Sequence, residues 1–192
     1  MYLDGRGFAG SLLELEATRI LTKDTELGRT TIVDACNGYN KLICLDMLWT
    51  LVYRWPSGST FAYNCYRHWA QLLLCQPGNA PVILLSQEGV TQGDPLSVDL
   101  YGITLVSLVE ELRYTEPTLL YHFYAADAVF DGPERRSAVQ LCLLMDLGPN
   151  QGYFSEPSKS LFIAENPEEK DSARREFERA GLDLTYIGLH LS

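Results

Sequence analysis

The sequence contains no apolar run long enough to cross a lipid bilayer. Its longest apolar stretches, such as Val82–Leu85, have the length of a β-strand, whereas a membrane-spanning helix needs about 20 apolar residues. The first residues, Met-Tyr-Leu-Asp-Gly, have neither the basic start nor the apolar centre of a leader peptide. We therefore expect no membrane association and no secretory or organellar address.

Cysteine is present in an odd number, five, and no two cysteines have the Cys-x-x-Cys spacing. This pattern disfavours both a disulfide framework and a zinc ribbon, and it is typical of proteins in a reducing compartment. The expected location is intracellular, either cytoplasmic or nuclear.

Basic residues are scarce: 15 Lys and Arg face 25 Asp and Glu, which gives a net charge of −10. Phosphate backbones are held by Lys and Arg, so an acidic surface repels nucleic acid. Either a local basic track remains, or nucleic acid is not the present partner. The 192 residues, 46% of them apolar, suffice for one folded domain with a core of its own.

Hydrophobic periodicity and turn residues predict alternating helices and strands. The predicted strands cover 30–36, 81–88, 118–131 (two strands around a tight turn), 159–164 and 183–191. The predicted helices cover 11–23, 39–54, 59–75, 95 to about 113, 133–147 and 167–180. We expect the aromatic residues between Trp49 and Trp69 to belong mainly to the core; alternatively, they supply an interface. This order predicts the α+β class, an open sheet with helices packed on one face.

Asp34 ends a short apolar strand in the stretch Thr-Ile-Val-Asp-Ala-Cys. An acid in this position is costly to bury unless it binds something positive. Alternatively, Asp34 caps the helix that follows it.

A second segment, Gly89–Ser97, places two glycines around Gln92 immediately before a predicted helix. Gly93 permits a ligand to approach the backbone closely, and the start of a helix attracts phosphate. Asp94 and Pro95 predict that this helix begins at Pro95. The alternative is an ordinary turn that leads into a helix.

Two further segments carry candidate chemistry. The predicted hairpin 121–131 has Tyr-Ala-Ala-Asp at its centre, where acids at a tip would hold metal ions, although Asp127 could also be a turn residue. The other segment is Lys159 in the stretch Ser-Glu-Pro-Ser-Lys. A lysine beside a phosphate could neutralise or protonate a leaving group, although a lone surface lysine is more often only solvated.

In their order along the chain, these segments resemble reverse transcriptases of the non-LTR retrotransposon type, from about Thr30 onward. The resemblance implies a polymerase palm, an RRM-like or ferredoxin-like antiparallel sheet, with partial fingers. It also implies RNA-directed DNA polymerase activity, Mg²⁺ as cofactor, and an RNA template with a DNA primer as partners. The implied roles are as follows: Asp34 and Asp127 in catalysis and metal binding, Lys159 in catalysis, Tyr39 as the screen of the sugar 2′ position, and Gln92, Gly93 and Pro95 in the floor of the nucleotide site. Tyr186-Ile187-Gly188 looks like the short hairpin that grips the primer.

The chain departs from the pattern of this family at the hairpin tip, where Ala126 replaces the first of two adjacent aspartates. In the family, that aspartate and the one matching Asp34 jointly hold two Mg²⁺ ions. A methyl group offers Mg²⁺ no oxygen ligand, so we expect catalysis to fall by orders of magnitude. We also expect that Asp127 does not take over, because adjacent strand residues point to opposite faces.

The resemblance further implies a division of the chain. Residues 1–29 would be partial fingers or an N-terminal helix, residues 30–192 would be the palm, and a thumb would be absent. Two classes of function stay open: a nucleotidyl-transferring domain that is inactive because of Ala126, and a non-catalytic palm that serves as a binding or structural subunit of a protein or ribonucleoprotein complex.

Overall fold

A central sheet organises the computed structural model of the chain, which describes residues 29–91, 93–124, 126–164 and 166–188. The strands are β1 Thr30–Val33, β2 Ala70–Leu74, β3 Val82–Ser86, β4 Leu120–Tyr124, β5 Asp127–Asp131, β6 Leu161–Ala164 and β7 Thr185–Gly188. Five of them form one sheet in the order β4-β5-β1-β6-β7, and β2 pairs only with β3. Within the large sheet every neighbouring pair is antiparallel except β6 and β7, which are parallel.

Six α-helices occupy the described part of the chain. They are α1 Gly38–Lys41, α2 Cys44–Arg54, α3 Pro56–Tyr66, α4 Ser97–Thr115, α5 Glu134–Leu147 and α6 Pro167–Arg179, with two 3₁₀ turns at Gly148–Gln151 and Pro157–Lys159. Helices pack on one face of the sheet, which confirms the predicted α+β class. None of the described helices combines the length and the apolar character needed to span a membrane.

The core lies against one face of β1. Exposure alternates along this strand, with Thr31 and Val33 buried. Thr31 stands opposite Phe130 of β5 and Phe162 of β6, and both phenylalanines are fully buried. Since side chains alternate between the two faces of a strand, β1 carries its next outward-facing position, Asp34, just beyond its end.

The prediction that the helix 59–75 continues through its second half is wrong. Helix α3 ends at Tyr66, and residues 70–74 form β2, which pairs with β3 from Ala70–Ser86 to Leu74–Val82. Both faces of this hairpin are exposed: Leu73 is 64% exposed and Ile83, its cross-strand partner, is 60% exposed. Local propensity favoured a helix over Ala-Gln-Leu-Leu-Leu, and pairing with a distant segment overrode it.

The aromatic residues around α2 and α3 are mostly not in the core, contrary to expectation. Five of them are exposed: Trp49, Tyr53, Phe61, Tyr63 and Trp69. Only Trp55 and Tyr66 pack against the core from the partly buried side. The predicted helix 39–54 is also divided, because the chain leaves helical geometry at Leu42 and Ile43.

The other predicted elements of residues 118–188 are present, with shorter ends. Helix α4 begins at Ser97, two residues after Pro95, and continues to Thr115. The predicted helix 11–23 lies outside the described residues.

The exposure of the β2–β3 hairpin leads to a stability prediction. Leu73→Lys and Ile83→Lys should each change the free energy of unfolding by no more than about 0.5 kcal/mol, because neither wild-type side chain is part of the core. Urea denaturation measures the effect. As the matched control, Leu108→Lys places the same side chain at a core position that is 1% exposed and should cost several kcal/mol. A hairpin variant as destabilised as the Leu108 variant would contradict the exposed hairpin.

Candidate functional site

Two carboxylates meet where β1 ends and β5 begins. The antiparallel register pairs Ile32 with Val129 and Val33 with Ala128. One step further along the same register, Asp34 stands opposite Asp127, the first residue of β5. Neighbouring strands lie about 5 Å apart, so the sheet brings these two candidate residues together.

The negative charge of Asp34 affects the pKa of the Asp127 carboxyl. Burial raises the pKa of the Asp127 carboxyl, and the negative charge of Asp34 raises it further. The site therefore concentrates negative charge before any cation is bound.

Lys159 lies beside this pair. Its Nζ is 4.0 Å from Asp34 Oδ2, with both side chains partly exposed, so the ion pair itself contributes at most about 1 kcal/mol. The backbone holds the lysine in place more firmly: the Glu156 N–H donates to the Asp34 carbonyl, and the Cys36 N–H donates to Phe154. The Ser160 hydroxyl also accepts a hydrogen bond from the Asp34 N–H.

Tyr39, on α1, connects the acid pair to the glycine-rich segment. Its ring lies 5.1 Å from that of Tyr101 on α4. Burial raises the pKa of its phenol, as do the nearby Tyr124 and Asp127. Its carbonyl accepts a hydrogen bond from the Val90 N–H. Tyr39 thus lies near Asp127 and against the core at once, and its role as the screen of a sugar stays a prediction.

The glycine-rich segment holds its glycines for two different reasons. A β-carbon built on Gly89 would lie 2.6 Å from the Tyr39 carbonyl oxygen, so this glycine permits a close backbone approach. Gly93 has the same left-handed backbone, φ +91°, but a β-carbon there would meet no described atom within 4 Å. The space over Gly93 is therefore open. Gln92 lies outside the described residues.

Asp94 fixes the turn that precedes α4. Its carboxylate accepts hydrogen bonds from the Leu96 N–H at 2.9 Å and from the Tyr66 hydroxyl at 2.8 Å. Pro95 is exposed in this turn rather than in the first turn of the helix. The helix starts later than predicted because Asp94 binds Leu96 and its carbonyl accepts the Ser97 N–H.

Ala126 turns toward α1 and α4. A β-carbon built on Gly38 would lie 2.9 Å from Ala126 Cβ and 2.7 Å from the Tyr101 hydroxyl oxygen. The methyl group is partly buried against the core. By extension of the β1–β5 register, Asp127 lies opposite Asp34. Position 126, in contrast, lies near Gly38 and Tyr101.

The donor set fits a pair of Mg²⁺ ions poorly. Mg²⁺ requires oxygen ligands in near-octahedral geometry, and position 126 contributes none. Across the described ranges, no group of three or more His, Cys, Asp or Glu side chains is arranged to hold a metal ion. The residues present amount to two carboxylates, one of them next to a lysine.

Three tyrosines of this region were not predicted from the sequence. Tyr66 bonds Asp94, and the rings of Tyr101 and Tyr153 are fully buried beside the acids. Their positions depend on contacts between distant segments, and a lone tyrosine gives no signal of such contacts. At the predicted primer-gripping segment, residues 185–188 form β7, which runs parallel to β6, and Tyr186 packs on Phe162 and Phe177. The residues that follow Gly188 lie outside the described part of the chain, so the hairpin stays a prediction.

The two glycines should respond differently to substitution. Gly89→Ala should destabilise the chain by more than 2 kcal/mol, roughly, because it adds a backbone collision to the cost of a left-handed alanine. Gly93→Ala should cost only about 1–2 kcal/mol, the left-handed term alone. Chemical denaturation of both variants checks the difference. Equal costs would contradict the close approach at Gly89.

The acid pair predicts a pH-dependent gain in stability on Asp127→Asn. A carboxyl whose folded pKa is raised contributes stability at low pH and loses it as pH rises through that pKa. The variant should therefore melt higher than the parent at pH 7. The difference should shrink as the pH falls through the raised pKa of Asp127, and it should be lost below about pH 3.9, the ordinary pKa of aspartate. Asp171→Asn, an exposed helix position, is the control. A difference independent of pH would contradict the coupling.

Comparison with known proteins supports the fold. No protein-family model matches the chain, and no curated protein matches it. Fourteen chains of solved structures match it. One is telomerase from Candida albicans in complex with a TWJ fragment of telomeric RNA, with a TM-score of 0.62 and 12% identity over 85% of this chain and 32% of that chain.

A second is apo telomerase from Candida tropicalis truncated from its C-terminal domain, with a TM-score of 0.55 and 16% identity over 82% of this chain and 35% of that chain. The chain thus spans about a third of the length of each telomerase chain. At this identity the likeness concerns the fold alone: the chain has an α+β fold similar to the reverse transcriptase domain of telomerase.

Proposed function

We propose that the chain is a reverse-transcriptase palm of the non-LTR type in which nucleotidyl transfer is lost at Ala126. The observation that carries this proposal is the register of β1 and β5, which sets Asp34 against Asp127 at the end of the sheet. Tyr39 and Lys159 lie at the same place. The telomerase-like fold is consistent with these assignments.

In this proposal each retained residue keeps a recognisable task. Asp34 and Asp127 face the space where metal ions would sit, and Lys159 would neutralise charge that develops on a leaving phosphate. Gly93 leaves room for a nucleotide beside the start of α4, whose free N–H groups favour phosphate. Gln92 and Pro95 would complete the floor of the nucleotide site, and Tyr39 would exclude a 2′-hydroxyl.

Loss of activity follows from the ligand count. Two Mg²⁺ ions bring four positive charges to one point, and a bridging carboxylate both coordinates them and reduces their mutual repulsion. With a methyl group at position 126, two carboxylates remain, and Lys159 competes electrostatically for one of them. RNA template and DNA primer remain the proposed partners, held weakly by a chain of charge −10.

A second candidate is a palm that has become a protein-binding or structural subunit. The exposed apolar surface favours it: β2 and β3 are exposed along almost their whole length, and the exposed aromatics of α2 and α3 add to this surface. Exposed apolar patches of this kind commonly mark interaction sites. The residues 69–87 also carry no charged side chain.

We predict that the parent chain does not extend a primer and does not bind paired Mg²⁺ tightly, and that Ala126→Asp gains metal and nucleotide affinity. Extension by the variant should be weak and distributive. The measurements are labelled-nucleotide incorporation on an RNA template with Mg²⁺ or Mn²⁺, and calorimetric Mn²⁺ titration. Ala126→Asn, which has the shape without the charge, is the matched control.

Robust extension by the parent would refute the inactivity assigned to Ala126. If Ala126→Asp gains no metal affinity over Ala126→Asn, the role assigned to the hairpin is wrong, and the subunit proposal is favoured.

A further inference from the structure

Tyr101 presents a buried hydroxyl group that no described residue satisfies. The side chain is 0% exposed, and its hydroxyl oxygen has no hydrogen-bond partner. Buried polar groups are normally hydrogen-bonded, and one left unpaired is destabilising. This hydroxyl group therefore calls for an explanation.

The hydroxyl is directed at the hairpin tip. Tyr101 Oη and Ala126 Cβ approach the same point above Gly38, where a β-carbon would lie 2.7 Å from the first and 2.9 Å from the second. The absence of a side chain at Gly38 leaves this space between α1, α4 and the hairpin. A side chain longer than alanine at position 126 would extend from a β-carbon that borders the same space as the hydroxyl.

The ring cannot easily turn the hydroxyl elsewhere. Tyr39 packs on it with 5.1 Å between ring centroids, and the helix α4 fixes its backbone. Burial raises the pKa of the Tyr101 phenol, with contributions from Tyr39 and Asp127. The group is therefore a protonated donor at neutral pH, and its preferred partner is an anionic acceptor.

We propose that Tyr101 is a positioning residue whose hydroxyl donates a hydrogen bond to a carboxylate at position 126, and that the chain has kept the donor although alanine has replaced the acid. This inference rests on the proposed function, since it assumes that an acid belongs at the hairpin tip. It adds a residue on α4 that orients this acid and does not itself touch metal or substrate.

A thermal double-mutant cycle tests the proposal without metal or nucleotide. In the parent, Tyr101→Phe should raise the melting temperature by about 2–4 °C, the size expected when an unpaired buried hydroxyl is removed from a chain of this length. In the Ala126→Asp background, the same substitution should lower the melting temperature, because it removes a bonded donor. The sign reversal is the expected result.

Tyr186→Phe provides the matched control. The Tyr186 hydroxyl is also buried and unpaired, but it lies on β7 among Phe162 and Phe177. Its effect should be the same in both backgrounds. If Ala126→Asp does not fold, Ala126→Asn supplies a neutral acceptor of the same shape for the cycle.

A pH profile separates positioning from packing. A bonded donor lowers the pKa of the introduced carboxyl, so this carboxyl contributes stability at neutral pH that is lost in acid. Tyr101→Phe should therefore destabilise Ala126→Asp more at pH 7 than at pH 3. Equal effects of Tyr101→Phe in both backgrounds and at both pH values would overturn the proposal. Because no metal is used, a failure of metal binding in Ala126→Asp leaves this result interpretable.

Discussion

The antiparallel pairing of β1 with β5 is the constraint on which the rest of the site depends. Its last pair is Val33 with Ala128, and extending the register by one residue places Asp34 opposite Asp127, although like charges in that arrangement repel each other. Burial raises the pKa of the Asp127 carboxyl, and the repulsion by Asp34 raises it further. A sheet of this kind keeps two acids together because the buried face beneath them, with Phe130 and Phe162, fixes the register.

Two segments hold the surroundings of this acid pair. On one side, residues 153–160 bond to the backbone of residues 34–36, which carries Lys159 to Asp34. On the other side, the Gly89–Val90 backbone bonds to α1, and α4 brings Tyr101 to Tyr39. In the proposed function, these two segments would be the supporting structure of a site at whose hairpin tip Ala126 offers no metal ligand.

Much of the sheet could be predicted because its strands alternate or form short apolar runs bounded by turn residues. The tight turn between β4 and β5 and the position of Asp34 after β1 followed from local sequence. The hairpin β2–β3 did not, because Ala-Gln-Leu-Leu-Leu favours a helix locally, and its strand conformation is decided by pairing with the next strand, Val82–Ser86. The exposure of Trp49 and Tyr53 was also unpredictable, since aromatic residues at helical spacing are more commonly buried.

Within the site, the residue types were predictable and their mutual arrangement was only partly so. Asp34, Asp127 and Lys159 come together, whereas the roles assigned to them remain proposals. We expected that Asp127 does not take over the role of position 126, and the two residues do differ in their surroundings: Asp127 begins β5, whereas the turn residue Ala126 lies near Gly38. The positions of Tyr101 and Tyr153 near the acids depend on tertiary packing, and no pattern in the local sequence predicts them.

Titration of the Asp127 carboxyl carbon by NMR, in the parent and in Asp34→Asn, tests the central claim most directly. If the two acids face each other across β1 and β5, the Asp127 pKa lies above the ordinary value of about 3.9 and falls when the charge of Asp34 is removed. An Asp127 pKa that is unchanged by Asp34→Asn would contradict the acid pair, and with it the site built around it.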